Sequence, residues 1–198
     1  AQMGFVSQDQ GTDDTTDSDV DTTSGRSASF PVISGETVAD VDAGIQPGGL
    51  GDRVWLDSNT NGLQDSGEPG VAGIVVKLLD ANGQTVATQT TDVTGFYNFT
   101  GVLPAAYSVA FELPAGMKWT EQNQGTDGTL DSDVNVATGK ASVTVLSGVS
   151  DQTVDAGILP ATLGDTVWFD RNGNGLQDAG EPALPGITVQ LLDATGNA

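Results

Sequence analysis

Twelve residues, Asp57-Ser-Asn-Thr-Asn-Gly-Leu-Gln-Asp-Ser-Gly-Glu68, concentrate oxygen-bearing side chains, and they recur as Asp170-Arg-Asn-Gly-Asn-Gly-Leu-Gln-Asp-Ala-Gly-Glu181. Counted from the first aspartate, positions 1, 3, 5, 9 and 12 are Asp57, Asn59, Asn61, Asp65 and Glu68 in one copy. They are Asp170, Asn172, Asn174, Asp178 and Glu181 in the other. Glycine holds position 6 and leucine, Leu63 or Leu176, position 7. This is the calcium-loop pattern of EF hands. A calcium ion takes about 6–8 oxygen ligands: side chains at 1, 3 and 5 wrap one side, position 7 offers its backbone carbonyl, position 9 acts through water, and a two-oxygen glutamate closes the shell. An acidic Asn-Gly-rich turn would share the composition. The pattern nevertheless survives Ser58 against Arg171 and Thr60 against Gly173, where its variable positions differ. Calcium is therefore the expected cofactor of both loops.

A second acidic group comprises Asp127, Asp131 and Asp133, with Asp13, Asp17 and Asp19 as earlier counterparts, to which Asp14 and Asp21 are added. Three carboxylates within seven residues repel one another unless a cation or solvent separates them. Such a cluster reads either as a solvated acidic loop or as a further calcium site. The recurring Asp-Ser-Asp-Val register favours the metal. Asp155, in Asp-Ala-Gly, reads equally as an end-of-strand residue and is not counted among the ligands.

Charge and composition narrow the rest. Aspartate and glutamate number 27 against 6 lysines and arginines, a net charge of -21. Such a surface repels nucleic acid and anionic membranes, so neither is an expected partner. With no histidine and no cysteine, zinc and thiolate sites are excluded, as are the usual nucleophilic triads. Any metal is oxygen-bound. A carboxylate pair could hydrolyse glycosides, yet no pair stands apart from the candidate calcium ligands, so no enzyme is expected. No apolar run reaches the roughly 18 residues of a membrane span.

The elements that must position these residues repeat as well. Leu50-Gly-Asp-Arg-Val-Trp-Leu-Asp57 matches Leu163-Gly-Asp-Thr-Val-Trp-Phe-Asp170, and Asp42-Ala-Gly-Ile45 matches Asp155-Ala-Gly-Ile158. Residues 1–47 thus read as the back part of a preceding repeat, 48–160 as a complete one, and 161–198 as the front part of a following one. Both chain ends are expected to fall inside a repeat, as in an excerpt from a longer tandem array. Within the complete copy, strands are expected at residues 54–56, 74–79, 85–91, 96–99, 107–113, 142–146 and 153–158. Asp80-Ala-Asn-Gly83 and Asp92-Val-Thr-Gly95 are the turn signals between them. Short strands with turns every 8–12 residues predict an all-β antiparallel sandwich. Phe96, Tyr97, Phe99 and Tyr107 could be a sugar platform, but their alternation suits a buried face, so core packing is expected, also for Trp55 and Trp168.

Taken together, Leu50-Gly-Asp-x-Val-Trp-Leu-Asp57, the calcium loop, Glu68-Pro-Gly-Val-Ala-Gly-Ile-x-Val-x-Leu-Leu-Asp80, Thr91-Asp-x-x-Gly-Phe-Tyr-x-Phe99 and Val154-Asp-Ala-Gly-Ile158 resemble the B-type repeats of bacterial serine-aspartate-repeat surface adhesins. These are relatives of the collagen-adhesin B domain. The resemblance implies tandem immunoglobulin-like, transthyretin-like sandwiches, and calcium-dependent stalk modules projecting an extracellular surface protein. The family's weaker calcium sites would map onto Asp127, Asp131 and Asp133. Some collagen-adhesin relatives cross-link lysine to asparagine. Here the first strand has only Arg53 and residues 151–158 have no asparagine, so no such bond is expected. The expected partners are neighbouring repeats of the same chain, with a homopolymer or a host or cell-surface ligand as alternatives in which the module is filamentous or adhesive.

Overall fold

The computed structural model describes residues 4–161, 163–192 and 195–197. Ala1 and Ala198, the ends of the two partial copies, lie outside them. Residues 1–160 form one compact unit and 161–198 another.

Among the described residues of the first unit, nine strands carry the fold: β1 (Gly48–Leu56), β2 (Val75–Leu79), β3 (Thr85–Thr90), β4 (Phe96–Val102), β5 (Ala106–Phe111), β6 (Lys118–Trp119), β7 (Lys140–Thr144), β8 (Ser150–Asp151) and β9 (Ala156–Leu159). One sheet runs β4-β1-β9-β6 with β8 also on β1; the other runs β3-β2-β5-β7. Alternation builds both inner faces. Val76 and Leu78 of β2 are buried on either side of half-buried Lys77, opposite Leu50 and Val54 of β1, and both sets belong to a single core with Tyr97, Phe99, Val109, Phe111 and Ile158. The fold is an immunoglobulin-like sandwich, all-β as the strand spacing predicts.

Most pairs are antiparallel, but β1 runs parallel to both β8 and β9, with Val54 opposite Ala156 and Leu56 opposite Ile158. A local pattern of turns cannot announce this, because the partners lie about a hundred residues apart. The short strands β6 and β8 had no sequence signal either: two residues cannot display a period of two. At the β2–β3 turn, positive φ falls on Gly83 alone and not on Asn82. The Asp80 carboxylate there accepts the N–H groups of Asn82 and Gln84 at 2.9 Å each, which sets the turn without the two left-handed residues of a tight hairpin.

Of the aromatic residues expected in the core, Trp55, Tyr97 and Phe99 are buried there, Tyr107 and Trp168 are half-buried, and Phe96 is exposed at the start of β4. Tyr97 and Phe99 are each 2% exposed. Tyr97 meets Phe99 and Phe111 edge-on, and Phe111 meets Trp119 likewise. The Tyr97 hydroxyl donates to the Val154 carbonyl at 2.7 Å. Trp55 is fully buried.

Residues 4–47 repeat the hydrogen bonds of residues 118–160. Asp19 N–H donates to Asp42 O as Asp133 N–H does to Asp155 O, and Val6 N–H donates to Gly44 O as Thr120 N–H does to Gly157 O. The Asp42 N–H donates to the Asp19 carboxylate, and the Asp155 N–H to that of Asp133. Phe5 bridges Ile45 where Trp119 pairs with Ile158.

In the second unit, the described residues of the stretches aligned with β1 and β2 form no strand, and the bridge of Trp168 to Ala183 stands in the place of Trp55 to Gly70. In the complete copy, β1 pairs with β4, β8 and β9, and β2 with β3 and β5. Residues 161–198 contain no counterpart of those partners beyond the start of β3. Leu163, Val189 and Leu191 are accordingly exposed.

Candidate metal centre

The loop of residues 57–68 is closed at its base by Leu56 N–H donating to Pro69 O at 2.9 Å. Inside it, backbone donors orient oxygen after oxygen. Asp57 Oδ1 accepts Asn61 N–H at 3.2 Å, and its Oδ2 accepts Gly62 N–H at 2.8 Å. Asn59 Oδ1 accepts Asn61 N–H at 3.1 Å, and Asn61 Oδ1 accepts Leu63 N–H at 2.8 Å. Glu68 takes Ser58 N–H on Oε1 at 2.6 Å and Asp65 N–H on Oε2 at 3.1 Å, so its two oxygens span the loop. The side-chain amides of Asn59 and Asn61 both donate to Asp65 Oδ2, at 2.7 and 2.8 Å. Those two amides hold the Asp65 carboxyl below the usual carboxylate range. Gly62 sits at φ 80°, where a side chain would be strained and would also meet Gln124.

Residues 170–181 reproduce this network. Asp170 accepts Gly175 N–H at 2.8 Å, Asn172 accepts Asn174 N–H at 3.0 Å, and Asn174 accepts Leu176 N–H at 2.7 Å. Glu181 accepts Arg171 N–H and Asp178 N–H, at 2.9 and 3.1 Å. The Asn172 and Asn174 amides converge on Asp178, whose carboxyl they lower. Local sequence therefore suffices for the cradle, since among the described residues no strand supports this copy.

Burial differs. Asp57 is 0% and Glu68 9% exposed, whereas Asp170 and Glu181 are half-buried. Asp57 is enclosed because β1 delivers it against β6 and β9: its N–H donates to Ile158 O at 2.9 Å and its Oδ2 accepts the Thr120 hydroxyl at 2.5 Å. Among the described residues the one ion pair joins Lys77 to Glu112, so no side-chain cation neutralises Asp57, Asp65 or Glu68. Buried carboxylates without a counter-charge are costly. The donor set is all oxygen: Asp57 Oδ1, Asn59 Oδ1, Asn61 Oδ1 and both Glu68 oxygens accept one hydrogen bond each and keep a lone pair, whereas Asp57 Oδ2 and Asp65 Oδ2 accept two. These residues fit a hard divalent cation of calcium type.

The second acidic group divides. Asp127 is exposed, and its Oδ1 accepts the N–H and the hydroxyl of Thr129 at 3.1 and 2.6 Å; those bonds lower its carboxyl. Asp13 does the same for Thr15, at 3.1 and 2.6 Å. Both are turn caps in this structure. Asp131 is 7% exposed, and burial, with Asp127 adding, raises its carboxyl. Burial pushes Asp133 up to about 6. Asp155, absent from the sequence-derived ligands, is fully buried: Oδ1 accepts Arg53 N–H at 3.0 Å and Oδ2 has no partner. Burial first, then the charge of Asp52, pushes it up to about 8.

In residues 4–47, carboxylate oxygens of Asp9, Asp14, Asp17 and Asp19 lie within 4.8 Å of one another. Asp17 and Asp19 thus come together as the register suggests, joined by Asp9 and Asp14 in place of Asp13. Asp9 could have been found from its alignment with Asn123, also an oxygen donor and also at positive φ. Burial first, then neighbouring aspartates led by Asp14, raises the Asp17 carboxyl. The two acidic regions of the complete copy touch: Leu63 bridges Asp131, and Gln64 N–H donates to Leu130 O at 2.6 Å.

Fold and loops together define an acidic β-sandwich repeat with an EF-hand-like loop after its first strand. Residues 48–158 and 161–198 match the family model described as "SdrD B-like domain", and the chain belongs to that family. This is a family of structural repeat domains, and the chain is not an enzyme. It is 40% identical over 151 residues to serine-aspartate repeat-containing protein F of Staphylococcus epidermidis, covering 75% of this chain and 9% of that protein. To serine-aspartate repeat-containing protein C of Staphylococcus aureus it is 38% identical over 183 residues, 89% of this chain and 18% of that one. The chain therefore spans a small part of these relatives. Among solved structures, the minor pilin of Streptococcus agalactiae aligns with 63% of this chain and 51% of its own at 15% identity and a TM-score of 0.32. The major pilin BcpA of Bacillus cereus aligns with 58% and 31%, also at 15% identity and 0.32. No helix among the described residues is long and apolar enough to cross a membrane.

Proposed function

We propose that the chain is a stretch of tandem stalk repeats, stabilised by calcium, from a bacterial cell-surface adhesin. On this reading residues 1–47 end one repeat, 48–160 form a complete one, and 161–198 begin the next. The observation that carries the reading is the twice-built oxygen cradle: backbone N–H groups orient four of the side chains and the two asparagine amides the fifth, in residues 57–68 and again in 170–181. Family membership and the serine-aspartate-repeat relatives support the surface assignment.

Asp57, Asn59, Asn61, Asp65 and Glu68 would hold the ion, with the Leu63 carbonyl, and Asp170, Asn172, Asn174, Asp178 and Glu181 with Leu176 would do so in the second loop. Asp131 and Asp133, and Asp17 and Asp19 with Asp9 and Asp14, are candidate supplementary ligands. Bound calcium would supply positive charge to carboxylates that the protein leaves without a cation. The chain's own contribution is pre-orientation: the ligands converge only in the folded state, so binding adds to folding stability.

Thermal melting and calorimetric titration of the chain, with calcium and with chelator, test this. A higher melting temperature in calcium that Asp57→Ala abolishes is the expected result. Melting indifferent to both calcium and the substitution would reduce the loops to turns.

A further inference from the structure

One contact set is used neither by the core nor by the acidic loops. Residues 146–149 follow β7 and turn over the place where the preceding segment joins β1. The Ser147 hydroxyl lies 2.9 Å from the Gly4 carbonyl and 2.7 Å from the Gln46 carbonyl, and so donates between them. Gln46 N–H itself donates to Gly4 O at 3.2 Å, beside the Phe5–Ile45 bridge. The hydroxyl therefore touches both segments joined by that bridge. Backbone bonds flank it: Gly148 N–H donates to Pro47 O at 3.2 Å, and Gly49 N–H to Val149 O at 2.9 Å.

The approach is too close for side chains. A Cβ on Gly4 would stand 2.6 Å from Ser147 Oγ and 2.8 Å from Ser147 Cβ. One on Gly48 would stand 2.3 Å from the Leu146 carbonyl oxygen. We propose that residues 146–149 are a clasp that docks the repeat of residues 48–160 onto the end of the segment before it, Ser147 being the tooth.

Two further observations support a recurring device. Ser34-Gly35 occupies the equivalent place in residues 1–47, and Glu36 N–H donates to Ile33 O there as Val149 N–H does to Leu146 O. Ser34 is exposed, free to meet a segment further upstream. The nine residues of β1, roughly 30 Å at about 3.3 Å per residue, separate Gly48 at the clasp from the Asp57 loop. Meanwhile Ile158, at the exit, hydrogen-bonds to Asp57.

Calling the docked end a repeat rests on the proposed domain reading, but the contact does not. The test is amide hydrogen exchange on the full chain, comparing wild type, Ser147→Ala and Gly4→Ala. Exchange at Gln46, Gly49 and Gly148 is expected to accelerate about five- to tenfold in both variants, the worth of a lost hydrogen bond. Val76 and Val109, in the core sheet, should be unchanged and so report that the domain stays folded. Unchanged exchange at the three junction amides in both variants, or wild-type rates already those of an open loop, would overturn the clasp. Melting insensitive to calcium would remove the metal reading and leave these exchange rates untouched, so the two failures are distinguishable.

Discussion

The Thr120 hydroxyl donates to the Asp57 carboxylate at 2.5 Å across 63 residues of chain. It joins the first position of the loop to the strand pair β6–β9, and both residues are buried, at 2% and 0% exposure. The oxygen cradle is thereby anchored in the sandwich.

Replacing Thr120 by valine keeps the volume and removes the donor. A buried carboxylate would lose one of its three donors, at a cost of about 1–3 kcal/mol. Urea denaturation in calcium should show that loss with an unchanged denaturant slope. Serine at the same position should recover most of it.

The two loops should differ in what they stabilise. Asp57→Ala and Asp170→Ala are each expected to remove one calcium equivalent in a titration. The first alone should lower the melting of the sandwich, because Asp57 is enclosed by its strands while Asp170 is not. At free calcium a hundredfold above the dissociation constant the linkage is about 2.7 kcal/mol. Loss of both equivalents with either substitution would contradict independent sites.

Without calcium, stability should fall as pH rises from about 4 to 8. Asp155 is pushed up to about 8 and Asp133 to about 6, both chiefly by burial. Their folded-state values lie above the unfolded carboxylate value near 3.9. The folded state therefore binds more protons in this window, and stability declines with pH through it. Below it the sign reverses, because Asp80 and Asp92, lowered by the Gln84 N–H and the Thr94 hydroxyl respectively, lose their stabilising charge. Denaturation in chelator across pH should show a maximum near the acid end. Asp155→Asn should flatten the decline, and an unaltered profile would count against Asp155 as its source.

Tyr97 offers a test of the core. Tyr97→Phe removes the hydrogen bond to Val154 and should cost about 1 kcal/mol. Tyr97→Ala also vacates the contacts with Phe99 and Phe111 and should cost about 3–5 kcal/mol. Denaturant midpoints of the two variants separate the polar from the packing contribution.

The amino-acid sequence by itself determined the loops and the strands around them. Apart from Thr120, the donors that orient Asp57, Asn59, Asn61 and Glu68 lie within ten residues of them, so the twelve-residue pattern carries its own geometry and builds it again in residues 170–181, where the described residues form no sheet. The alternation of Ile74, Val76 and Leu78 likewise marks an inner face, because successive side chains on a strand point to opposite sides. Tertiary structure decided what is distant along the chain. It set β1 parallel to β9, sealed Asp57 beneath Thr120, and left Asp155 Oδ2 buried without a partner. It also separated the turn caps Asp13 and Asp127 from the carboxylates that meet as Asp9, Asp14, Asp17 and Asp19. A local motif names its own hydrogen bonds, whereas burial and long-range pairing depend on which segments the closing sandwich brings together.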